Sequence, residues 1–273
     1  MKSISSKMES GTLGLRDCGN DPFPESQSPT IAYSNGIGTW VSRLLLFGIL
    51  LSTPSVARSQ DKVAVLLRQG LMMRSQGHPD SALVFYRQVL GLRQQNGDIR
   101  GEAAILSTIA SVFQDQGRLD SARAFLALGI SAWHTQGDLH GEAVTLDQLG
   151  QLHLARDEPD SAELCFGEAL AIFEAVGDPE GQAQVSDHVG SLWLVRNRAD
   201  SALGHYRTAL DLLEMVGARA GTAGILEHMA RAYLALGQGD PARASFQEAL
   251  ARAERFGDRR VGELAREGLS RLP

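Results

Sequence analysis

The sequence predicts an all-α fold, a right-handed superhelical solenoid of five helix hairpins closed by a C-terminal helix. Three observations point there. The tripeptide Asp-Ser-Ala recurs at Asp80, Asp120, Asp160 and Asp200, with Asp-Pro-Ala at Asp240, an interval of 40 residues that no insertion breaks. The pair Gly-Asp keeps the same interval at Gly97, Gly137, Gly177 and Gly257, with Gly217-Ala218 holding the phase. Aromatics make up only 6% of the 273 residues while glycines number 29, which suits helices packed closely through small residues better than an aromatic-rich sandwich. A fixed period of this length means units that cannot bury their apolar faces alone and so need a neighbour.

In chain order, residues 1–40 are polar, rich in Ser, Gly and Pro, and show no helical or alternating period; they are expected to be a disordered leader. Residues 41–59 have the layout of a secretory signal peptide. Arg43 precedes the apolar run Leu44–Leu51, and Pro54 and small residues follow. The run is too short to span a bilayer. Cleavage after Ala57 or after Ser59 both satisfy the small-residue rule, the second leaving Gln60 as the new N-terminus. Because a signal normally starts near its charged residue, translation from about Val41 would make residues 1–40 an artefact of the assigned start. The expected location is therefore exported, periplasmic or secreted, with the cytoplasm as the alternative, and no membrane span is expected in the mature chain.

From residue 60 to 273 the repeat sets the organisation, with units at about 61–96, 97–136, 137–176, 177–216 and 217–256 and a cap over 257–273. In each unit Gly suits the left-handed residue after a helix, and Asp98 or Asp138 caps the next helix through its side chain. About eighteen residues later, Asp120 or Asp160 is expected to cap a second helix.

Two further patterns mark the helices. In the first helix an apolar residue, a small residue and a ring recur as Ile109-Ala110-x-x-Phe113, Leu149-Gly150-x-x-His153, Val189-Gly190-x-x-Trp193 and Met229-Ala230-x-x-Tyr233, with a degraded form at Gln69-Gly70-x-x-Met73. In the second helix the pairs are Ala82/Tyr86, Ala122/Leu126, Ala162/Phe166, Ala202/Tyr206 and Ala242/Phe246. Gly or Ala lets two helix backbones approach, and the large residue one turn away fills the space beside the contact.

These positions resemble the tetratricopeptide repeat, whose W-x-x-L-G-x-x-Y and A-x-x-x-F signature they match nearly one for one over residues 61 to about 257. The period departs from the family's usual 34 residues. Gly-Asp at the junction and Gly-Glu-Ala soon after, as at Gly101-Glu102-Ala103 and Gly141-Glu142-Ala143, are similar to the longer repeats of kinesin light chains and Leu-Gly-Asn proteins.

The resemblance implies a concave groove lined by the first helix of every unit and a non-catalytic role in holding other proteins. Its groove positions fall here on Val144, Asp147, Gln151 and Leu154, then Gln184, Asp187, Ser191 and Leu194, then Gly224, Glu227, Arg231 and Leu234. Asp147, Asp187 and Glu227 form an acidic ladder, and Leu154, Leu194 and Leu234 an apolar one. Together they would suit a segment with basic and apolar residues; the alternative is solvated acids beside leucines that touch a neighbouring helix.

Charge narrows the partners. The formal net charge is -6, and beyond residue 60 there are 21 Lys and Arg against 28 Asp and Glu, which disfavours nucleic acid because its affinity comes from cations on phosphates. The two cysteines, Cys18 and Cys165, show no metal spacing, and no HExxH pair preorganises a metal. Cys165 sits near Glu163 and Glu168, which raise rather than lower a thiol pKa, so a packing role is expected and no catalytic residue, metal or cofactor. His153 replaces the ring of Phe113, Trp193 and Tyr233, while His188 and His228 share one phase of the repeat. Gly36-x-Gly38 and Gly237-x-Gly239 follow no strand and carry no phosphate-loop lysine. A ligand-sensing regulatory module and an envelope-assembly scaffold stay open as alternatives, and the closing helix could dock a second copy.

Overall fold

The structure, a computed structural model, describes residues 54–219 and 221–272. The expected leader, Cys18, Arg43 and the apolar run lie outside the described residues. Eleven helices and no strand occur among those described: α1 Pro54–Ser75, α2 Pro79–Gln95, α3 Ile99–Asp115, α4 Leu119–Gln136, α5 Leu139–Ala155, α6 Pro159–Val176, α7 Pro179–Val195, α8 Ala199–Met215, α9 Thr222–Ala235, α10 Gly239–Phe256 and α11 Arg259–Ser270. Each odd-numbered helix from α1 to α9 opens a unit and the next even-numbered helix closes it. First helices pack on the second helix of their own unit, and second helices on the first helix of the next, so the hairpins stack in chain order into an all-α solenoid. Neighbouring first helices also touch, α3 with α5, α5 with α7 and α7 with α9, and this row makes one continuous face.

The turns repeat a single device. Each second helix ends in a left-handed glycine, directly after α4, α6 and α10 at Gly137, Gly177 and Gly257 and one residue further on after α2 and α8 at Gly97 and Gly217, with φ from 64 to 80°. After α2, Asp98 N donates to Arg93 O at 2.9 Å and Gly97 N to Gln94 O at 3.1 Å, which satisfies the free carbonyls of the helix end. Asp98, Asp138, Asp178 and Asp258 then cap the following helices, accepting from the backbone N–H of Gly101, Gly141, Gly181 and Val261 at 2.8–3.1 Å.

Asp120 and Asp160 do not cap the second helices as expected. The cap positions are Arg118 and Glu158, neither of which makes a side-chain cap bond. The two aspartates lie in the first turn, where a carboxylate faces the positive end of the helix dipole. Each also reaches one unit onward, Asp120 to Arg156 at 2.5 Å and Asp160 to Arg196 at 2.6 Å.

Packing explains the small residues. Ala82, Ala122, Ala162, Ala202 and Ala242 are fully buried. A Cβ added at Gly70, Gly150 or Gly190 would come within 2.4–2.5 Å of the ring of Tyr86, Phe166 or Tyr206. The unit that carries Ala110 has the smaller Leu126 opposite, so the pair is matched in volume within each hairpin. Ala230 stands opposite Phe246 without a glycine; there the ring turns to Gly268 of α11, where a Cβ would lie 2.4 Å away. A second rule works between units: Gly141 accepts the ring of Trp133, and Gly181 that of Phe173. The ring position of the first helix stacks on the second, Phe113 on Phe125 at 5.3 Å and Trp193 on His205 at 6.5 Å between centroids. Tyr233 instead accepts a hydrogen bond from Arg207 at 2.9 Å.

Candidate functional site: the face of the first helices

Helical spacing puts positions i, i+3/i+4, i+7 and i+10 of each first helix on one side. On α5 this stripe carries Val144, Asp147, Gln151 and Leu154; on α7 Gln184, Asp187, Ser191 and Leu194; on α9 Gly224, Glu227, Arg231 and Leu234. Adjacent first helices bring the three stripes side by side.

The acids do not stand open in this face. Asp147 is fully buried and accepts three hydrogen bonds, from His188 Nδ1 at 2.7 Å, Gln184 Nε2 at 3.0 Å and Gln151 Nε2 at 3.1 Å. Asp187, half-buried, pairs one unit further on with His228 Nδ1 at 2.7 Å. Glu227 is buried as well and takes its cation from its own helix, Arg231 Nε, at 2.6 Å. A buried carboxylate persists only where donors replace its water, and here each acid has found them.

The histidines complete the line. His188 lies over the ring of Phe166 and His228 beside Tyr206. Burial opposes a charge on His188, but its hydrogen bond to Asp147 and the charges of Asp147 and Asp187 outweigh it and raise its pKa above the ordinary imidazole value. Ser191 Oγ sits 3.2 Å from the Tyr206 hydroxyl, whose pKa burial pushes well up. Leu154 and Leu194 are half-buried and packed against the core, whereas Leu234 is 39% exposed. What solvent meets on this face is therefore the carboxamides of Gln151 and Gln184, the edges of His188 and His228, Ser191, Leu234 and the guanidinium of Arg231.

His188 and His228 are the residues that sequence reasoning passed over as partners of the acids. Each stands 41 residues after its aspartate, one period plus one, and that shared phase was the available signal.

Cys165 is buried without exposed surface. Its unit replaces the stacked ring pair with a polar group: His153, also buried, lies 2.6 Å through Nδ1 from Glu158 Oε2, and Glu158 accepts from Arg156 at 2.8 Å. Burial opposes charge on His153, but hydrogen bonds with Cys165 and Glu158 outweigh it and raise its pKa. The thiol, imidazole and carboxylate come together inside the hairpin, with the sulfur wholly buried. An open cleft of about 600 Å³ lies at the junction turns, lined by Asp98, Arg100, Asp138 and His140 among others. Its charged groups are occupied: Asp138 caps α5 and pairs with Arg100 at 2.9 Å, and His140 lies 3.2 Å from Asp178. Among the described residues no group of three His, Cys, Asp or Glu is placed to hold a metal ion, and no helix is long and apolar enough to cross a membrane.

Two family models described as tetratricopeptide repeat match the chain, one over residues 101–175 and one over 222–255. No curated protein matches it. Several solved structures share its fold. BtubC (BKLC) from P. vanneervenii is 18% identical with a TM-score of 0.53, covering 73% of this chain and 92% of its own. The putative kinesin light chain nearly identical TPR-like repeats of Podosopora anserina are 14% identical with a TM-score of 0.55, covering 76% and 99%. A Rap protein complexed with competence and sporulation factor is 12% identical with a TM-score of 0.65, covering 75% of this chain but 58% of its own, so this chain spans little more than half of that protein.

Proposed function

The chain is a tetratricopeptide-repeat protein, and we propose that it works as a non-catalytic scaffold that holds a segment of another protein across the face of α5, α7 and α9. One observation carries this reading. At the period of the stack the first helices present Gln151, Ser191 and Arg231, with Gln184 of another phase beside them, and next to these an apolar line of the half-buried Leu154 and Leu194 ends at the exposed Leu234. A repeated line of donors and apolar sites is what an extended or helical segment needs from a partner. The Rap neighbour was solved with competence and sporulation factor bound, which supports segment binding as a use of this fold.

The expected preference for basic and apolar segments needs a changed basis. Asp147 and Asp187 lie against His188 and His228, so the acids meet a partner through these imidazoles, and the face is less acidic when His188 is charged than when it is not. Export through residues 41–59 remains part of the proposal and is checked by reading the N-terminal residue of the protein recovered from cells.

The test of the groove is affinity capture from extract with the parent and two variants. Gln184→Lys/Leu234→Lys changes exposed residues of the face, and Leu164→Lys changes an exposed residue of α6 away from it. The reading expects a protein retained by the parent and by Leu164→Lys and lost by the double variant. Retention by all three would remove the groove from the account.

A further inference from the structure

Helix α1 has no hairpin in front of it among the described residues, and its outward side is apolar. Val65 is 55% exposed and Met72 47%. Their counterparts one to four periods later are Ile105, Thr145, Val185 and Ile225, and Val112, Leu152, Leu192 and Ala232, none more than 4% exposed. In every later unit the preceding hairpin covers these two positions. At α1 the same surface is built, and no described residue covers it.

We propose that a second copy of this chain covers it, with α1 pairing antiparallel to α1 of its partner in a closed two-fold dimer. Two features favour this occupant. Head-to-tail stacking on α11 does not fit: the outward residues of α11 include the exposed Glu263, Arg266, Glu267 and Ser270, and pressing them on Val65 and Met72 would bury charge against apolar groups. Another α1 offers a matching apolar side, and the antiparallel arrangement supplies charge complementarity. The centre of α1 lies between Ala64 and Val65. Pairing about that point sets Asp61 of each copy opposite the partner's Arg68, on either side of the two Val65 side chains, with Met72 over the start of the partner's helix. An isologous contact of this kind closes on itself and does not propagate. The Asp61–Arg68 pairs and the two Val65 side chains all lie after Ser59, so cleavage at either expected point leaves them in place.

Light scattering after size exclusion tests the proposal on the protein as isolated. The parent should be dimeric at concentrations on the order of 10 μM. Val65→Lys/Met72→Lys should be monomeric with unchanged helical circular dichroism, since both side chains are exposed in the single chain. Asp61→Lys should weaken the dimer roughly two- to thirtyfold, and adding Arg68→Asp should restore it. A parent that stays monomeric to about 100 μM, a dimer that survives the double lysine variant, or a charge exchange that restores nothing would each overturn it.

Discussion

Nδ1 of His228 lies 2.7 Å from Oδ1 of Asp187, and one period earlier the same contact joins His188 to Asp147. Two successive junctions, α5 to α7 and α7 to α9, thus hold an acid of one first helix against an imidazole of the next. Each pair ties adjacent hairpins together, and at His188 the charge of the face also depends on whether the imidazole carries its second proton.

Binding of a basic segment should strengthen as pH rises. With His188 charged, the Asp147–His188 unit is neutral overall; once the imidazole loses its proton the carboxylate is left uncompensated. The pKa of His188 is raised, so the change falls above the ordinary imidazole value of about 6.5. Affinity for a Lys- or Arg-containing segment, measured by anisotropy across pH 6 to 9, should increase, and His188→Gln should flatten the profile.

Folding stability should move the opposite way. His153 and His188 both have raised pKa values, so their contribution is full below about pH 6.5 and is lost as pH rises through the folded values. His205 opposes them, because burial lowers its pKa and its contribution is lost on acidification. The expected balance is a melting temperature that falls between pH 6.5 and 9, less steeply in His188→Gln. A flat profile for the parent would mean that the imidazoles titrate alike in the folded and unfolded chain.

Gly190→Ala should destabilise by about 1–3 kcal/mol, because the new Cβ would meet the Tyr206 ring at 2.4 Å. Tyr206→Leu alone should also destabilise, by opening space in a fully buried site. Combined, the two reproduce the Ala110/Leu126 pair of the second unit, and chemical denaturation should show the double variant losing less than the sum of the singles.

Turn chemistry gives a change of the other sign. Asp157 and Asn197 occupy the left-handed position that Gly77, Gly117 and Gly237 fill in the other units, with φ of 61° and 58°. Asp157→Gly should relieve that strain and, after the greater freedom of the unfolded chain is subtracted, stabilise by a few tenths of a kcal/mol to about 1 kcal/mol. Asp138→Ala should cost about 1 kcal/mol through loss of the cap bond to Gly141.

The helices, their turns and the small-to-large pairs were legible in the sequence because each is fixed by contacts within a hairpin or with the next one, so one period of 40 residues displays the whole rule. Gly150 with Phe166 and Asp138 at its cap are of this kind. The pairing of Trp133 with Gly141 could have been found the same way, as another offset within the period. The state of the acids was not legible. Asp147 reads as an exposed groove residue on its own helix, and only the neighbouring α7, bringing His188 and Gln184 across, turns it into a buried acceptor. Asp120 and Asp160 misled for a related reason: Asp near a helix start signals a cap, but the second helices begin two residues earlier, and the carboxylates are drawn to Arg156 and Arg196 of the next unit.

The most direct measurement of the central claim is a titration of the captured partner's binding segment, as a synthetic peptide, into the parent and into Gln184→Lys/Leu234→Lys, with hydrogen exchange read on both. The account predicts protection confined to α5, α7 and α9 in the parent and at least about a tenfold loss of affinity in the variant, equivalent to about 1.4 kcal/mol. Protection on the second helices with affinity unchanged would contradict it and move the partner to the other side of the stack.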